Sequence, residues 1–278
     1  MEFEETSLIF PCHKESLVGI LTRPHFTSDR GVVIVVGGPQ YRAGSHRQFT
    51  LLARALAANG IAVMRFDYRG MGDSDGDMRI FDAVGDDLSA AIDTFFENVE
   101  EIREVVLWGL CDAASAISMY APSDKRVTGI ILANPWVRTS DGLARSTLKH
   151  YYGGRLLHMH FWRKLFRFEV NLKQSIYSLA QSARLALRPR LPAGSVSLPD
   201  AMCSGLTKFK GAILIILSGA DMTAHEFRDL TSQAPEWRRL LGTRRVTQRT
   251  LEKADHTFSR RVWRDQVADW SSSWVRNG

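Results

Sequence analysis

The segment Trp108-Gly109-Leu110-Cys111-Asp112-Ala113 carries the strongest structural signal in the chain. It joins an apolar run typical of a buried strand, Val105–Leu110, to a helical pattern over residues 113–120. The small residues two positions either side of Cys111 permit a tight, strained turn that lifts the thiol off the backbone. Because a helix N-terminus favours negative charge, this turn favours the thiolate form. The alternative interpretation is a buried cysteine at a strand end, since free cysteine is among the most buried residue types.

Strand and helix patterns alternate on both sides of this turn. Apolar runs typical of buried strands occur at Gly31–Val36, Ile61–Phe66, Gly129–Asn134 and Ala212–Leu217, and a further strand is predicted near Arg245–Leu251. Helical patterns separate them at residues 45–59, 81–99, 225–233 and after 258, and an antiparallel pair at Thr6–Phe10 and Leu17–Arg23 opens the chain. The alternation predicts an α/β fold with a mostly parallel central sheet and helices on both faces. Ligands of such sheets bind at the carboxyl ends of the strands.

A carboxylate and a histidine follow two later strands. Asp221 ends the segment Ser218-Gly219-Ala220-Asp221, and His256 lies in Ala254-Asp255-His256-Thr257-Phe258. A nucleophile needs a base, and the base needs an orienting carboxylate. Since each of these residues lies just past a strand end, we expect the sheet to bring them to Cys111. The alternatives are a turn or N-cap role for Asp221 and a polar surface position for His256.

Two further loops follow predicted strands. Val36-Gly37-Gly38-Pro39 leaves a backbone free to approach a substrate, which suits a donor to an oxyanion. The loop Arg65–Ser74 and the residues after it carry aspartates at 67, 73, 75 and 77, but they lack the glycine and closing glutamate of an EF-hand. We therefore predict a structural turn there and no metal site.

The ordered motifs resemble the α/β-hydrolase superfamily over nearly the whole chain. They are residues 37–40, 67–74, 109–113, 219–221 and 255–258. More narrowly, the stretch 37–46 and the cysteine at the turn are similar to the exosortase-associated hydrolases, type 1, of exopolysaccharide-producing bacteria. The resemblance implies an α/β-hydrolase fold with a helical lid insert, and no cofactor. It also implies that Cys111 is the nucleophile, Asp221 the orienting acid and His256 the general base.

The chain departs from the superfamily at two positions. Cys111 stands where serine is usual, and a thioester on it can pass its acyl group to an acceptor other than water. Pro39 stands where many relatives have an oxyanion donor, and proline has no N–H. We therefore expect the oxyanion to be held by the backbone N–H groups of Gln40 and Asp112.

Residues 136–205 interrupt the alternation and are predicted to form a helical, basic lid on a core of residues 1–135 and 206–278. Between residues 138 and 190 there are eleven basic and two acidic side chains. Aromatic residues, beginning with Trp136, suit an apolar wall, and the charge suits an anionic acyl substrate, an acyl carrier protein or an acidic membrane surface. Arg42 and His46 are further candidates for anion binding. The alternatives are core-packing aromatics, solvated arginines and, for His46, a helix-terminal surface position.

Composition excludes several classes of protein. The chain has 278 residues, 45% hydrophobic and 24% charged, which is typical of a globular protein and not of a disordered or fibrous one. No apolar run reaches the ~18–20 residues of a membrane span, although surface association with a membrane is left open. The net charge is +6, but no nucleic-acid-binding motif accompanies it, so nucleic acid is not an expected partner. The odd, sparse set of three cysteines and the acidic N-terminus favour a cytoplasmic location.

The favoured hypothesis is an acyl-processing enzyme, an ester or thioester hydrolase or an acyltransferase, with a saccharide hydroxyl as one candidate acceptor. A second hypothesis is a non-catalytic binding protein that retains the α/β-hydrolase fold. In that case His256 is expected to point away from Cys111. A redox-sensing thiol is a third hypothesis, weakened because Cys12 and Cys203 have no evident relation to the turn.

Overall fold

An eight-stranded sheet runs through the part of the chain that the computed structural model describes, residues 3–37, 40–77, 79–137 and 196–277. Its strands are β1 (Phe3–Cys12), β2 (Glu15–Pro24), β3 (Arg30–Val35), β4 (Val63–Asp67), β5 (Glu104–Leu110), β6 (Val127–Ala133), β7 (Ala212–Ser218) and β8 (Val246–Leu251). They lie in the order β1-β2-β4-β3-β5-β6-β7-β8. β2 pairs antiparallel with β1 and β4, and the other neighbours pair in parallel. The predicted mostly parallel sheet is confirmed.

Helices cover both faces of this sheet. Those described are α1 (Gln48–Ala57), α2 (Gly85–Asn98), α3 (Asp112–Tyr120), α4 (Leu198–Lys208), α5 (Met222–Gln233), α6 (Pro235–Leu241) and α7 (Arg261–Asn277). α1 and α7 pack on one face, and α2 to α6 pack on the other. Side chains of β3 alternate between the faces, with Val32 and Ile34 on the first and Val33 and Val35 on the second. The α/β-hydrolase fold is therefore confirmed.

Two helices of the core, α4 and α6, are absent from the helical patterns predicted for the core. Pro199 stands in the first turn of α4, where the missing N–H of proline needs no partner, and Ser197 Oγ accepts a hydrogen bond from Asp200 N at 3.3 Å. Met202 and Leu206 of α4 are buried in the core. The predicted boundary between insert and core, residue 205, thus falls inside a helix of the core. α6 likewise begins with a proline.

The predicted lid, residues 136–205, lies mainly outside the described residues. Trp136, Val137 and residues 196–205 are its described part. Its helical content, its aromatic wall and its role as a lid stay predictions. Within the described ranges, no helix combines the length and apolar character needed to cross a membrane.

The acidic loop after β4 is a structural turn, as predicted. Asp67 is fully buried and accepts hydrogen bonds from the backbone N–H groups of Arg42, at 2.6 Å, and Asp73, at 3.1 Å. Gly72 has φ +53°, and a Cβ at this position would lie 2.2 Å from Asp67 Oδ2. The turn therefore requires glycine. Among the described residues there is no group of three or more His, Cys, Asp or Glu side chains that could hold a metal ion.

Candidate active site

Cys111 occupies a strained turn between β5 and α3. Its backbone has φ +62° and ψ −122°, a conformation that costs about 1–3 kcal/mol for a residue with a side chain. Gly109 makes the turn possible, because a Cβ there would lie 2.6 Å from Ile117 Cδ1 and 2.9 Å from the carbonyl carbon of Ala113. Cys111 N donates to Ala133 O of β6 at 2.9 Å. The predicted tight turn is present, and it leaves the thiol half-exposed.

Asp221 lies at the N-terminus of α5 and is 8% exposed. Its Oδ2 atom accepts a hydrogen bond from Ala224 N at 3.1 Å, which caps the helix. The same oxygen lies 2.9 Å from Nδ1 of His256, which donates to it. The oxygen that caps the helix is therefore also the oxygen that contacts the imidazole, and the role of Asp221 as an orienting carboxylate stays a prediction.

His256 also contacts the thiol. Its side chain makes a hydrogen bond with Cys111, and since Nδ1 faces Asp221, the other ring nitrogen, Nε2, is left for the thiol. Burial alone would lower the pKa of His256, but the hydrogen bonds and negative charges of Asp221 and Cys111 outweigh burial and raise the pKa to about 10. The imidazole is therefore protonated at neutral pH. The sheet thus brings Cys111, His256 and Asp221 into one hydrogen-bonded chain.

The raised pKa of His256 predicts how stability depends on pH. The folded-state pKa of about 10 exceeds the ordinary value of 6.5, so the stabilisation is fully present below pH 6.5 and is lost as the pH rises towards 10. We expect the free energy of unfolding of the wild type to fall between pH 7 and pH 10 relative to that of His256→Gln. Urea unfolding of both proteins at several pH values measures the difference. Parallel pH dependences in the two proteins would contradict the raised pKa of His256.

The loop after β3 reaches the start of α3. A Cβ on Gly37 would lie 2.2 Å from Asp112 Oδ1 and 2.9 Å from Ala113 N, so this position requires glycine. Gln40 Oε1 accepts a hydrogen bond from Ser45 N at 3.2 Å, which holds the far end of the loop. Residues 38 and 39 lie outside the described residues. The loop is therefore beside Cys111, and the roles of the Gln40 and Asp112 N–H groups as oxyanion donors stay predictions.

Comparison with known proteins supports a hydrolase. A family model described as serine aminopeptidase, S33, matches residues 27–226. The chain belongs to this family. In this S33-family protein the residue at the strained turn is Cys111, whereas the family's description names a serine. No curated protein has significant sequence similarity to the chain.

Solved structures share the fold of this S33-family protein at low sequence identity. The Pyrococcus furiosus esterase Pf2001 superposes with a TM-score of 0.67 at 14% identity, covering 99% of this chain and 91% of the esterase. A dienelactone hydrolase from Anabaena variabilis has a TM-score of 0.62 at 14% identity, with 99% and 98% covered. The α/β-hydrolase GrgF from Penicillium has a TM-score of 0.63 at 16% identity, with 98% of each chain covered. At these identities the likeness establishes the fold alone.

Three further residues were predicted to contact substrate. Trp136 lies beside the turn, where its backbone N–H donates to Cys111 O at 3.2 Å and its ring packs edge-on against Phe81 at 5.4 Å. The Arg42 guanidinium is paired with both Asp67 and Asp73, so its charge already has structural partners. His46 is exposed in the loop before α1. Substrate binding by all three stays a prediction, and the ion pairs of Arg42 weigh against a role in anion binding.

Two polar residues of the S33-family site escaped sequence reasoning. Asn134 directly follows β6, and Ser218 ends β7. Both are fully buried, and they hydrogen-bond to each other and to the loop that carries His256. The signal in the sequence is a polar residue at the carboxyl end of each of two strands that are otherwise continuously apolar. A signal of that kind does not reveal which loop such a residue holds.

Proposed function

We propose that the protein is an acyl-processing enzyme, an ester or thioester hydrolase or an acyltransferase, that works through a thioester on Cys111. The observation that carries the proposal is the chain of hydrogen bonds from Cys111 through His256 to the buried carboxylate of Asp221. Membership of a hydrolase family agrees with it. Asp221 holds the His256 ring in one orientation, which is the arrangement that an acid–base catalyst requires.

The first half-reaction acylates the thiol. The Cys111 thiolate attacks the carbonyl carbon of an ester or thioester, and the carbonyl electron pair moves to oxygen. We assign the backbone N–H groups of Asp112 and Gln40 as donors to that oxyanion. Collapse of the tetrahedral intermediate re-forms the carbonyl and expels the alcohol or thiol, which takes the proton of the His256 imidazolium. The products are a thioester on Cys111 and a neutral imidazole.

The second half-reaction transfers the acyl group. Neutral His256 takes a proton from water or from an acceptor hydroxyl, whose oxygen attacks the thioester. Expulsion of the Cys111 thiolate restores the starting state, in which the thiolate lies beside the His256 imidazolium. Because a thiolate leaves readily, the thioester accepts nucleophiles other than water. The resemblance of residues 37–46 to the exosortase-associated hydrolases supports a saccharide hydroxyl as acceptor in exopolysaccharide metabolism. The basic insert supports an anionic or carrier-linked acyl donor.

The alternative of a non-catalytic binding protein is less well supported. It expects an imidazole turned away from Cys111, whereas His256 hydrogen-bonds to both Cys111 and Asp221.

The proposed function predicts that an activated ester acylates Cys111. We expect p-nitrophenyl butyrate to add one butyryl group to the wild type and none to Cys111→Ala, as measured by intact mass after an acid quench. The matched controls are Cys12→Ala and Cys203→Ala, which remove buried thiols whose pKa values are raised by burial. Both controls should acylate like the wild type. Equal labelling of Cys111→Ala, or an unlabelled wild type, would refute the thioester mechanism.

A further inference from the structure

Asn134 and Ser218 form a buried bridge between β6, β7 and the loop that carries His256. Asn134 Nδ2 donates to Ser218 Oγ and to the backbone carbonyl of His256, both at 2.9 Å. Asn134 Oδ1 accepts from Ser218 N at 2.8 Å. Ser218 Oγ in turn donates to the carbonyl of Asp255 at 2.8 Å. Two consecutive peptide carbonyls beside the imidazole are thus held by two side chains.

The orientation of the Asn134 amide is fixed by its partners. A flipped amide would point its NH₂ group at the Ser218 N–H, so that two donors would face each other. Both residues are fully buried, which strengthens these hydrogen bonds and makes an unpartnered group there costly. Asn134 also has φ +42°, a left-handed conformation that few residues other than glycine and asparagine adopt. This backbone position and this side chain therefore suit asparagine in particular.

The bridge connects all three residues of the hydrogen-bonded chain. Asn134 follows Ala133, whose carbonyl accepts the backbone N–H of Cys111 at 2.9 Å. Ser218 is the last residue of β7, and Asp221 lies three residues later in the loop that follows this strand. The His256 loop is fastened to both through its carbonyls. A change in the bridge would therefore move the imidazole relative to the thiol without removing any reacting group.

We propose that Asn134 and Ser218 are positioning residues that set the His256 imidazole against the Cys111 thiol. This inference rests on the proposed function, because it assigns a role in the same reaction. Misplacement of a reacting group by about 1 Å can lower a rate by about 100-fold. We therefore expect Asn134→Gly and Ser218→Ala to lower kcat by about 10- to 100-fold, with KM changed far less. Glycine at 134 retains the left-handed backbone and removes the amide alone.

The test uses the pH dependence of Cys111 alkylation by iodoacetamide, together with kcat and KM for p-nitrophenyl butyrate. If the imidazole is displaced from the thiol, the rate of Cys111 alkylation in Asn134→Gly and Ser218→Ala should depend on pH as it does for an ordinary thiol. Ser118→Ala is the matched control, because Ser118 is also fully buried and its hydroxyl bonds within its own helix, to Ala114 O at 2.7 Å. The control should retain the wild-type profile and kcat.

The outcomes separate the two proposals. Wild-type kcat and a wild-type alkylation profile in either folded variant would overturn the positioning role, even if stability falls as it does in Ser118→Ala. If one variant does not fold, the other decides. An unacylated wild-type Cys111 would refute the proposed function, while the alkylation profiles, which need no turnover, would still decide whether Asn134 and Ser218 position His256.

Discussion

Replacement of His256 by alanine lowers kcat for an activated ester by about 10⁴- to 10⁶-fold, the range seen when one member of such a triad is removed. The variant loses the proposed general base and the positive charge beside the Cys111 side chain. Iodoacetamide alkylation of Cys111 at neutral pH should therefore slow as well. Steady-state kinetics and alkylation followed by intact mass measure the two effects.

A matched control exists elsewhere in the chain. His13 is an exposed histidine that also lies 2.9 Å from a carboxylate, that of Asp86. His13→Ala removes a comparable contact far along the chain from the turn and should leave kcat unchanged. Retention of more than about a tenth of the wild-type kcat in His256→Ala would contradict general-base catalysis by this residue.

Replacement of Asp221 by asparagine is expected to lower kcat by about 10⁴-fold while keeping the helix cap. It should also lower the free energy of unfolding at neutral pH, because the charge that raises the pKa of His256 is lost. Asparagine caps a helix nearly as well as aspartate, so the bond to Ala224 N survives. The amide is neutral and no longer holds the imidazolium. Asp221→Ala loses the cap as well, so its free energy of unfolding should be about 1 kcal/mol lower than that of Asp221→Asn. Kinetics and urea unfolding of both variants separate the two roles of this carboxylate.

The control for Asp221→Asn is Asp124→Asn. Asp124 is 10% exposed, pairs with Arg126 and accepts a hydrogen bond from Tyr120, so its change also removes a largely buried, ion-paired carboxylate. We expect Asp124→Asn to lose stability and keep its kcat. If Asp221→Asn kept both its stability and its kcat, Asp221 would be a helix cap and nothing more.

Most of the fold follows from the sequence, because parallel strands buried on both faces read as continuous apolar runs. Gly31–Val36 and Ala212–Leu217 match β3 and β7 within one residue at each end. The two helices that were not predicted, α4 and α6, each have a proline in the first turn. A proline in the interior of a helix disrupts it, whereas a proline in the first turn is favoured. Local composition does not distinguish these two situations.

Three residues of the candidate site could also be predicted from the sequence. Cys111, Asp221 and His256 each stand just past a strand end, so strand order alone brings them to one edge of the sheet. Asn134 and Ser218 stand at equivalent positions, yet their partners are backbone carbonyls of a distant loop. Backbone acceptors occur at every residue and leave no mark in the sequence. The ion pairs of Arg42 depend in the same way on the conformation of a loop.

The left-handed backbone at position 111 is imposed by its neighbours, since Gly109 packs against Ile117 and Ala113 whatever side chain stands at the apex. The turn therefore presents an oxygen as readily as a sulfur. Exchange of the sulfur for an oxygen needs no rearrangement of the turn and alters only the chemistry of the side-chain atom at position 111. Serine in place of Cys111 would therefore require a single-base change in the gene and no change in the turn.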